Sequence, residues 1–244
     1  GRVPAPVLGW MHAPVDTMYK TLPPGVEKPC FVCISDDQRN HFEALFSRPA
    51  RTCYNGIDLE MYKSIGIPRT KRFLFLARFS TVKSPHLSIE VCQKAGVDLD
   101  LVGDTKLTGE AEYLQSILHM ADGQKIRFVG PATRGECVYW YSQARGFSHL
   151  CPNFREPFGL APVEAMACGL PVLAWRFGAL KETVKHGETG YLVSSTEEAV
   201  GLLRSSAMDE INRNRCRDWA SQFSEDRMVS RVQELCEEAL SGGW

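Results

Sequence analysis

The sequence predicts an α/β protein with a doubly wound parallel sheet. Short apolar runs recur along the 244-residue chain without the polar–apolar alternation of a half-exposed strand. Helix-like segments with recognisable start and stop residues separate these runs from about residue 70 to 205. Strands that are buried on both faces and alternate with helices are typical of a Rossmann-like sheet.

Eight apolar runs are predicted as strands, because each is short and bounded by glycine, proline or polar residues. All of them are far shorter than the ~20 apolar residues that span a bilayer, so no transmembrane segment is predicted. In order they are Pro6–Met11, Cys30–Ile34, Phe73–Phe79, Leu99–Gly103, Ile126–Gly130, Gly146–Pro152, Leu170–Trp175 and Gly190–Val193.

Helices are predicted from the residues that begin and end them. Ser84 and Pro85 predict an N-cap and a first-turn proline ahead of a helix over His86–Ala95. Further signals are capping boxes at Thr133/Glu136 and Ser195/Glu198, a helix from Pro162 closed by Gly169, and tail helices over Met208–Phe223 and Glu225–Leu240.

The charge balance limits what the surface can bind. Lys and Arg number 28 against 29 Asp and Glu, which leaves a formal net charge of −1. No general basic field therefore attracts nucleic acid, and phosphate binding must rest on a few placed residues. The hydrophobic fraction of 44% excludes a disordered chain.

The cysteines indicate a reduced compartment rather than a disulfide framework. They are nine in number, and most lie in apolar segments, as free buried thiols do. Cys30 and Cys33 have the spacing of a metal pair but lie in a predicted strand, where residues three apart point to opposite faces. We therefore predict core packing, no metal site and a cytoplasmic protein.

The most informative segment carries two glutamates around a predicted helix start. Glu156 lies in a loop after a strand, and Glu164 lies near the start of the next helix. The amides of Gly159 and Leu160 lead into that helix, which makes an anion site beside two carboxylates that can bind hydroxyls. Taken singly, Glu164 could merely complement the helix dipole, and Glu156 could be a solvated loop residue.

The whole string EPFGLAPVEAMACGLPV closely resembles the donor-site signature of the GT-B retaining glycosyltransferases of family 4. Other motifs of that family resemble further segments in the same order, from about residue 52 to 240. These are NGID (55–58), FLARFSTVK (75–83), LVGD (101–104), VG (129–130), PNFRE (152–156) and GETGYLV (187–193).

The resemblance implies a role for each matching residue. Arg78 and Lys83 would clamp the diphosphate of a sugar nucleotide, and Glu164 would accept hydrogen bonds from the ribose. Glu156 would hold the donor sugar. The other implied donor-site residues are Phe158, Gly159 and Leu160 through their amides, Gly130 against the nucleobase, and Gly178, which with Ala179 replaces a glycine pair of the family.

The first fifty residues resemble the end of the family's acceptor-side domain. His12 would face the donor across the cleft, whereas the other five histidines have no partner at catalytic spacing and are predicted to be structural: His41, His86, His119, His149 and His186. We expect a partial Rossmann-like domain over 1–50, a nucleotide-sugar-binding domain over 51–225 and a helix over 226–244 packing back toward the first part. Turn residues place the linker at 48–56. Because the chain starts at Gly1 without methionine, we expect the rest of the acceptor half to precede it.

The implied activity is metal-independent transfer of a sugar, with retention, from a UDP- or GDP-sugar to an acceptor hydroxyl. The acceptor would be a sugar, a lipid-linked or a small molecule, with peripheral membrane contact left open and no cofactor beyond the sugar nucleotide. Two alternatives remain: a non-catalytic nucleotide-sugar-binding module, and a GT-B-type sugar-nucleotide epimerase, which the two-glutamate string disfavours. A glycosidase would set two carboxylates across a sugar ~5–9.5 Å apart, which a helix-start glutamate beside an anion site does not suggest.

Overall fold

The computed structural model describes residues 6–15, 29–106 and 109–244, so the start of the chain at Gly1 lies outside the described residues. The described strands form two sheets, and every strand pairing is parallel. The α/β, Rossmann-like fold class predicted from the apolar runs is therefore confirmed. The first sheet has the order β1-β2-β3, with β1 at Leu8–Met11, β2 at Cys30–Cys33 and β3 at Ala50–Thr52.

The second sheet has six strands, and each forms within its predicted apolar run. Its order is β6-β5-β4-β7-β8-β9. Two large hydrophobic clusters pack on it, and fully buried side chains such as Phe73 and Phe147 come from the strands themselves. The strands are β4 (Phe73–Leu76), β5 (Leu99–Val102), β6 (Ile126–Gly130), β7 (Gly146–His149), β8 (Val172–Trp175) and β9 (Gly190–Val193).

Strand β3 lies within the predicted linker. Residues 50–52 pair with β2 in the first sheet, so the boundary expected between residues 50 and 51 falls inside a strand. Three residues are too few to show an apolar run, and Arg51 and Thr52 are polar. Arg51 instead reaches Glu238 near the end of the chain, with 2.6 Å between the guanidinium and the carboxylate.

Helices connect the strands and cover the sheets. Among the described residues, no helix combines the length and apolar composition needed to cross a membrane. The helices are α1 (Asp36–Phe46), α2 (Pro85–Ala95), α3 (Ala111–Met120), α4 (Arg134–Gln143), α5 (Leu160–Ala167), α6 (Leu180–Thr183), α7 (Thr196–Arg204), α8 (Ala207–Glu210), α9 (Arg213–Ala220) and α10 (Glu225–Leu240).

The predicted caps have different outcomes. The Thr133/Glu136 capping box is confirmed, with both reciprocal hydrogen bonds present at the start of α4. Ser195 accepts from the Glu198 amide as predicted, but the Glu198 carboxylate accepts from Ser194 instead. Ser84 is the N-cap residue of α2 with Pro85 next to it, as predicted, but its side chain does not cap the helix: its backbone has a left-handed φ of 51°, and its hydroxyl donates to the carbonyl of Thr81.

Two predicted helices differ in extent. Helix α5 begins at Leu160, two residues before the predicted Pro162. The helix predicted over 208–223 is broken, because Ile211 is extended and buried and the Asn212 side chain caps a new helix by accepting from the Asn214 amide. A short 3₁₀ turn over Ser221–Phe223 then leads into α10.

Helix α10 lies against the first sheet, although the chain reaches it through the second. Leu235 is fully buried in a cluster with Val32 of β2 and with Cys53, which follows β3. Met228 and Val232 pack on the edge of the same cluster, which is the helical spacing expected from the sequence. The last helix therefore ties the two parts of the chain together by apolar contact.

This contact gives a stability prediction. We expect Leu235→Ala to lower the free energy of unfolding by about 2–5 kcal/mol, because the cavity forms where the helix meets the first sheet. The matched control is Leu240→Ala on the same helix, whose side chain is 74% exposed, and it should change stability by at most about 0.5 kcal/mol. Urea unfolding of both variants measures the difference, and equal losses would contradict this packing role.

Candidate active site

The candidate site lies where the winding of the second sheet reverses. Strands β4 and β7 are neighbours, and the chain winds outward from β4 through β5 and β6 and from β7 through β8 and β9. Open α/β sheets bind ligands in the crevice at this switch point, outside the carboxyl ends of the strands. Lys83 follows β4 and Glu156 follows β7, and here the Lys83 ammonium forms an ion pair with Glu156 Oε2.

Glu156 is buried and charged. Its carboxylate also accepts a hydrogen bond from His149 Nε2 at 3.0 Å. Burial alone would raise the pKa of Glu156, but the Lys83 charge and the His149 hydrogen bond outweigh it and lower the pKa to about 2. The carboxylate is therefore ionised at neutral pH and has two donors on one oxygen.

His149 is the main residue that the sequence interpretation missed. It was expected to be structural and without a partner, whereas it is the last residue of β7 and lies 3.0 Å from Glu156. Burial lowers the pKa of His149, but Cys151 and Glu156 together raise it to about 9. The available signal was a histidine at the end of an otherwise apolar strand, seven residues before the first glutamate.

The same cluster does not fit a metal ion. The ligand-type atoms of His149, Cys151 and Glu156 lie within 4.8 Å of one another, the only such group found in the described part of the chain. However, the Lys83 ammonium already forms an ion pair with Glu156 Oε2 in this cluster. A second cation there would be repelled by the lysine.

Arg78, predicted with Lys83 to clamp a diphosphate, lies in the same loop. Its side chain is exposed, and it forms no hydrogen bond or ion pair with the residues that the structure describes. Lys83 is held more firmly, since its ammonium also lies 4.3 Å from the centre of the Phe154 ring. The loop therefore carries an exposed cation, Arg78, and a second cation, Lys83, that is paired with Glu156.

The start of α5 offers backbone amides to the same crevice. Gly159 has a left-handed φ of 89° and precedes the first helical residue, Leu160. Within the described chain, the amides of Gly159 and Leu160 have no hydrogen-bond partner. The Phe158 side chain is buried against Tyr54 and Phe223, so only its backbone is available to a ligand.

Glu164 lies one turn further along α5, and a tyrosine holds its carboxylate. The Tyr141 hydroxyl donates to Oε2 at 2.9 Å, and the Tyr62 ring lies beside the Tyr141 ring, with 6.3 Å between their centres. Burial raises the pKa of Glu164 despite the hydrogen bond from Tyr141. The predicted ribose-binding glutamate is thus oriented by a hydroxyl that the sequence interpretation had not connected to it.

Gly130 and Gly178, both predicted to lie at the donor site, each have a backbone conformation that favours glycine. Gly130 ends β6 with a φ of 98°, and its carbonyl accepts from Gly103. Gly178 has a φ of 62°, and a Cβ there would lie 2.6 Å from both the nitrogen and the oxygen of Glu156. The backbone of Gly178 therefore packs directly against that of Glu156, and the neighbouring Ala179 amide donates to the Glu156 carbonyl.

The end of β1 lies across the crevice from Glu156. His12 follows β1 with an exposed side chain, and the next residues, Pro14 and Val15, line a small pocket together with Glu156. Gln38 of α1 lines the same pocket and holds this segment by donating to the Ala13 carbonyl. The first sheet thus supplies the second wall of the cleft.

Ion pairs join the two walls of the cleft. Asp37 in the first turn of α1 accepts a two-fold hydrogen bond from Arg155, at 2.7 and 3.1 Å, and lies 3.2 Å from Lys181. Burial raises the pKa of Asp37, but these two cations outweigh it and lower the pKa below its usual value. Arg155 directly precedes Glu156, so the Arg155–Asp37 pair anchors the backbone next to Glu156 and also joins the two walls of the cleft.

Glu182 of α6 completes the contact by capping α1 from the opposite wall. Its carboxylate accepts from the amides of Asp36 at 2.9 Å and Asp37 at 2.5 Å, and the Tyr54 hydroxyl lies 2.8 Å from it. A carboxylate at a helix N-terminus satisfies free amides and complements the helix dipole. Sequence reasoning missed this contact because its partners are about 145 residues apart.

Comparison with known proteins places this arrangement in a family. The model of the family described as "Glycosyl transferases group 1" matches residues 60–223, which include Arg78, Lys83, Glu156 and Glu164. The chain belongs to this family. The match ends at the 3₁₀ turn before α10.

Curated relatives and solved structures agree with this assignment. The D-inositol 3-phosphate glycosyltransferase of Pseudarthrobacter chlorophenolicus is 32% identical over 54% of this chain and 33% of its own length. The N-acetyl-alpha-D-glucosaminyl L-malate synthase of Bacillus anthracis is 28% identical over 80% of this chain and 55% of its own. The chain therefore spans about a third to about half of these relatives.

Solved structures of other proteins share the fold. Anabaena HepE in complex with UDP-glucose superimposes with a TM-score of 0.79 at 22% identity, covering 97% of this chain and 72% of that one. Sucrose-phosphate synthase from Thermosynechococcus elongatus gives 0.76 at 21% identity, covering 96% and 68%. These matches span nearly the whole chain, the first, three-stranded sheet included, and they agree with the expected α/β, Rossmann-like fold of the GT-B type.

Proposed function

We propose that this glycosyltransferase-family chain transfers a sugar, with retention of configuration, from a nucleotide-sugar donor to an acceptor hydroxyl. The observation that carries the proposal is the meeting of Lys83 and Glu156 at the switch point of the second sheet. Beside them lie the amides that begin α5, which have no hydrogen-bond partner among the described residues. A cation and free amides suit a diphosphate, and a fixed carboxylate suits sugar hydroxyls.

In this proposal each residue acts on the leaving nucleoside diphosphate. As the glycosidic bond breaks, the diphosphate gains negative charge, which Arg78, Lys83 and the α5 amides stabilise. Glu164 binds the ribose, with Tyr141 orienting it. The departing phosphate oxygen takes the proton of the acceptor hydroxyl on the same face, so the new bond forms with retention and needs no carboxylate nucleophile.

The proposal extends to the donor, the acceptor and the cellular location, each named as a class. A UDP- or GDP-sugar is the proposed donor; the occurrence of UDP-glucose in HepE supports UDP. A sugar, lipid-linked or small-molecule hydroxyl is the proposed acceptor. The ion pair between Lys83 and Glu156 supports a reaction that needs no metal ion. The nine cysteines are all free and seven of them are buried, which supports a location in the reducing cytoplasm.

Calorimetric titration with UDP, GDP and ADP tests the donor site. We expect at least one nucleotide to bind and Arg78→Ala to weaken it about tenfold, the effect of losing a hydrogen bond between charged groups. Glu164→Ala should weaken it as well. Arg215→Ala, on a side chain 65% exposed in α9, serves as the control and should bind like the parent.

The outcomes separate the candidate functions. If no nucleotide binds, or if Arg78→Ala and Glu164→Ala match the parent, the donor-site proposal is wrong. If a nucleotide binds but neither transfer nor hydrolysis of its sugar nucleotide occurs, the chain is a binding module, which its partial coverage of the curated relatives also allows.

A further inference from the structure

Two donors share one oxygen of Glu156. Lys83 and His149 both bond to Oε2. Because an ionised carboxylate only accepts hydrogen bonds, His149 Nε2 must carry the hydrogen at this contact. The other carboxylate oxygen has no hydrogen bond to any residue that the structure describes.

The two donors differ in how freely they can move. Lys83 is a long flexible side chain whose second contact is the face of the Phe154 ring. His149 is 97% buried at the end of β7, and its ring stacks on Phe147 with an angle of 15° between the planes. A ligand can therefore draw Lys83 away, whereas His149 stays beside Glu156.

We propose that His149 is a positioning residue that keeps Glu156 charged and in place when Lys83 moves from Glu156 to the donor phosphates. This inference rests on the proposed function, in which Lys83 binds the diphosphate. Without His149, the departure of Lys83 would leave a buried carboxylate without a partner, which is strongly destabilising. With His149, the lysine can bind the donor while the carboxylate remains oriented toward the sugar.

The charges around His149 support this role at neutral pH. The titratable and charged groups that face it are Lys83, Cys151 and Glu156. Burial lowers the pKa of His149, and Cys151 and Glu156 raise it to about 9, so the ring is protonated at pH 7. Its positive charge is lost only as the pH rises through about 9.

The test compares His149→Gln, which keeps a donor without a charge, with His149→Leu, which keeps neither. UDP affinity and the rate of UDP-glucose hydrolysis are measured from pH 6 to 10. At pH 7 we expect His149→Leu to lower kcat at least about tenfold with little change in UDP affinity, and His149→Gln to restore much of the loss. The parent rate should fall as the pH rises through about 9, and His149→Gln should lack that fall.

A second measurement is independent of turnover and of whether the leucine variant folds. In the parent labelled with ¹⁵N-histidine, NMR should find the His149 ring titrating near pH 9, and UDP should keep it protonated to higher pH. A ring that titrates near the ordinary ~6.5, or a leucine variant with the parent's kcat, overturns the inference. Failure of the parent to bind UDP, GDP or ADP instead overturns the proposed function.

Discussion

Lys83→Met is expected to lower kcat/KM for hydrolysis of UDP-glucose by about 10²–10³-fold, the range found when one donor to a developing anion is removed. The substitution keeps an unbranched side chain that can still pack on Phe154, so the loss isolates the charge. Two effects combine: the diphosphate loses a cation, and Glu156 loses the larger of the charges that lower its pKa. UDP affinity, measured by calorimetry, should fall with the rate.

The same variant has a signature in acid. Because the pKa of Glu156 is about 2 in the folded protein, below its ordinary value of 4.5, its ionised form adds stability above pH ~4.5 that is lost as the pH falls through about 2. Removing Lys83 reduces that contribution, so the variant should lose less stability than the parent over this range.

The control for Lys83 is Lys94→Met, an exposed lysine in the last turn of α2, which should leave both kcat/KM and UDP affinity unchanged. Equal acid profiles for Lys83→Met and the parent would show that Lys83 does not lower the pKa of Glu156, and a Lys83→Met rate within twofold of the parent would show that Lys83 has no part in donor binding.

The sequence predicts the second sheet well because its signals are local. Each apolar run buries both faces of a strand, and the order of strands and helices then permits few parallel arrangements. Strand β3 could not be predicted in this way, because it has no local apolar run and its Arg51 contacts Glu238 in the last helix, far away in the sequence. The helix break at Ile211 could not be predicted from local signals either, because whether one helix or two form there depends on how the Ile211 side chain is buried.

The candidate site is predictable only in part, for the same reason. Lys83 follows β4 and Glu156 follows β7, and the two side chains meet because these strands are neighbours in the sheet. Both residues also lie in motifs of the family. His149 carries no motif, and its role depends on the contact with Glu156. The pairs across the cleft, such as Arg155 with Asp37, require knowledge of how the two sheets face each other.

Gly178→Ala is expected to impair both stability and activity, although Gly178 contributes no side chain to the cleft. A left-handed φ costs a non-glycine residue about 1–2 kcal/mol, and a methyl group forced against fixed backbone adds about 1–3 kcal/mol. The clash is with the nitrogen and oxygen of Glu156 itself, at 2.6 Å. We expect relief of the clash to displace the Glu156 backbone and with it the contacts of its carboxylate with Lys83 and His149, so hydrolysis of UDP-glucose should fall more than UDP affinity.

Gly187→Ala separates the strain from the clash. Gly187 has a comparable left-handed φ of 81°, but a Cβ there would have no neighbour within 4 Å. Its variant should therefore lose only the strain of about 1–2 kcal/mol and keep the parent's rate. Urea unfolding and UDP-glucose hydrolysis of both variants make the comparison. If Gly178→Ala loses no more stability and no more activity than Gly187→Ala, the close approach of Gly178 does not position Glu156, and the carboxylate must be held by Lys83 and His149 alone.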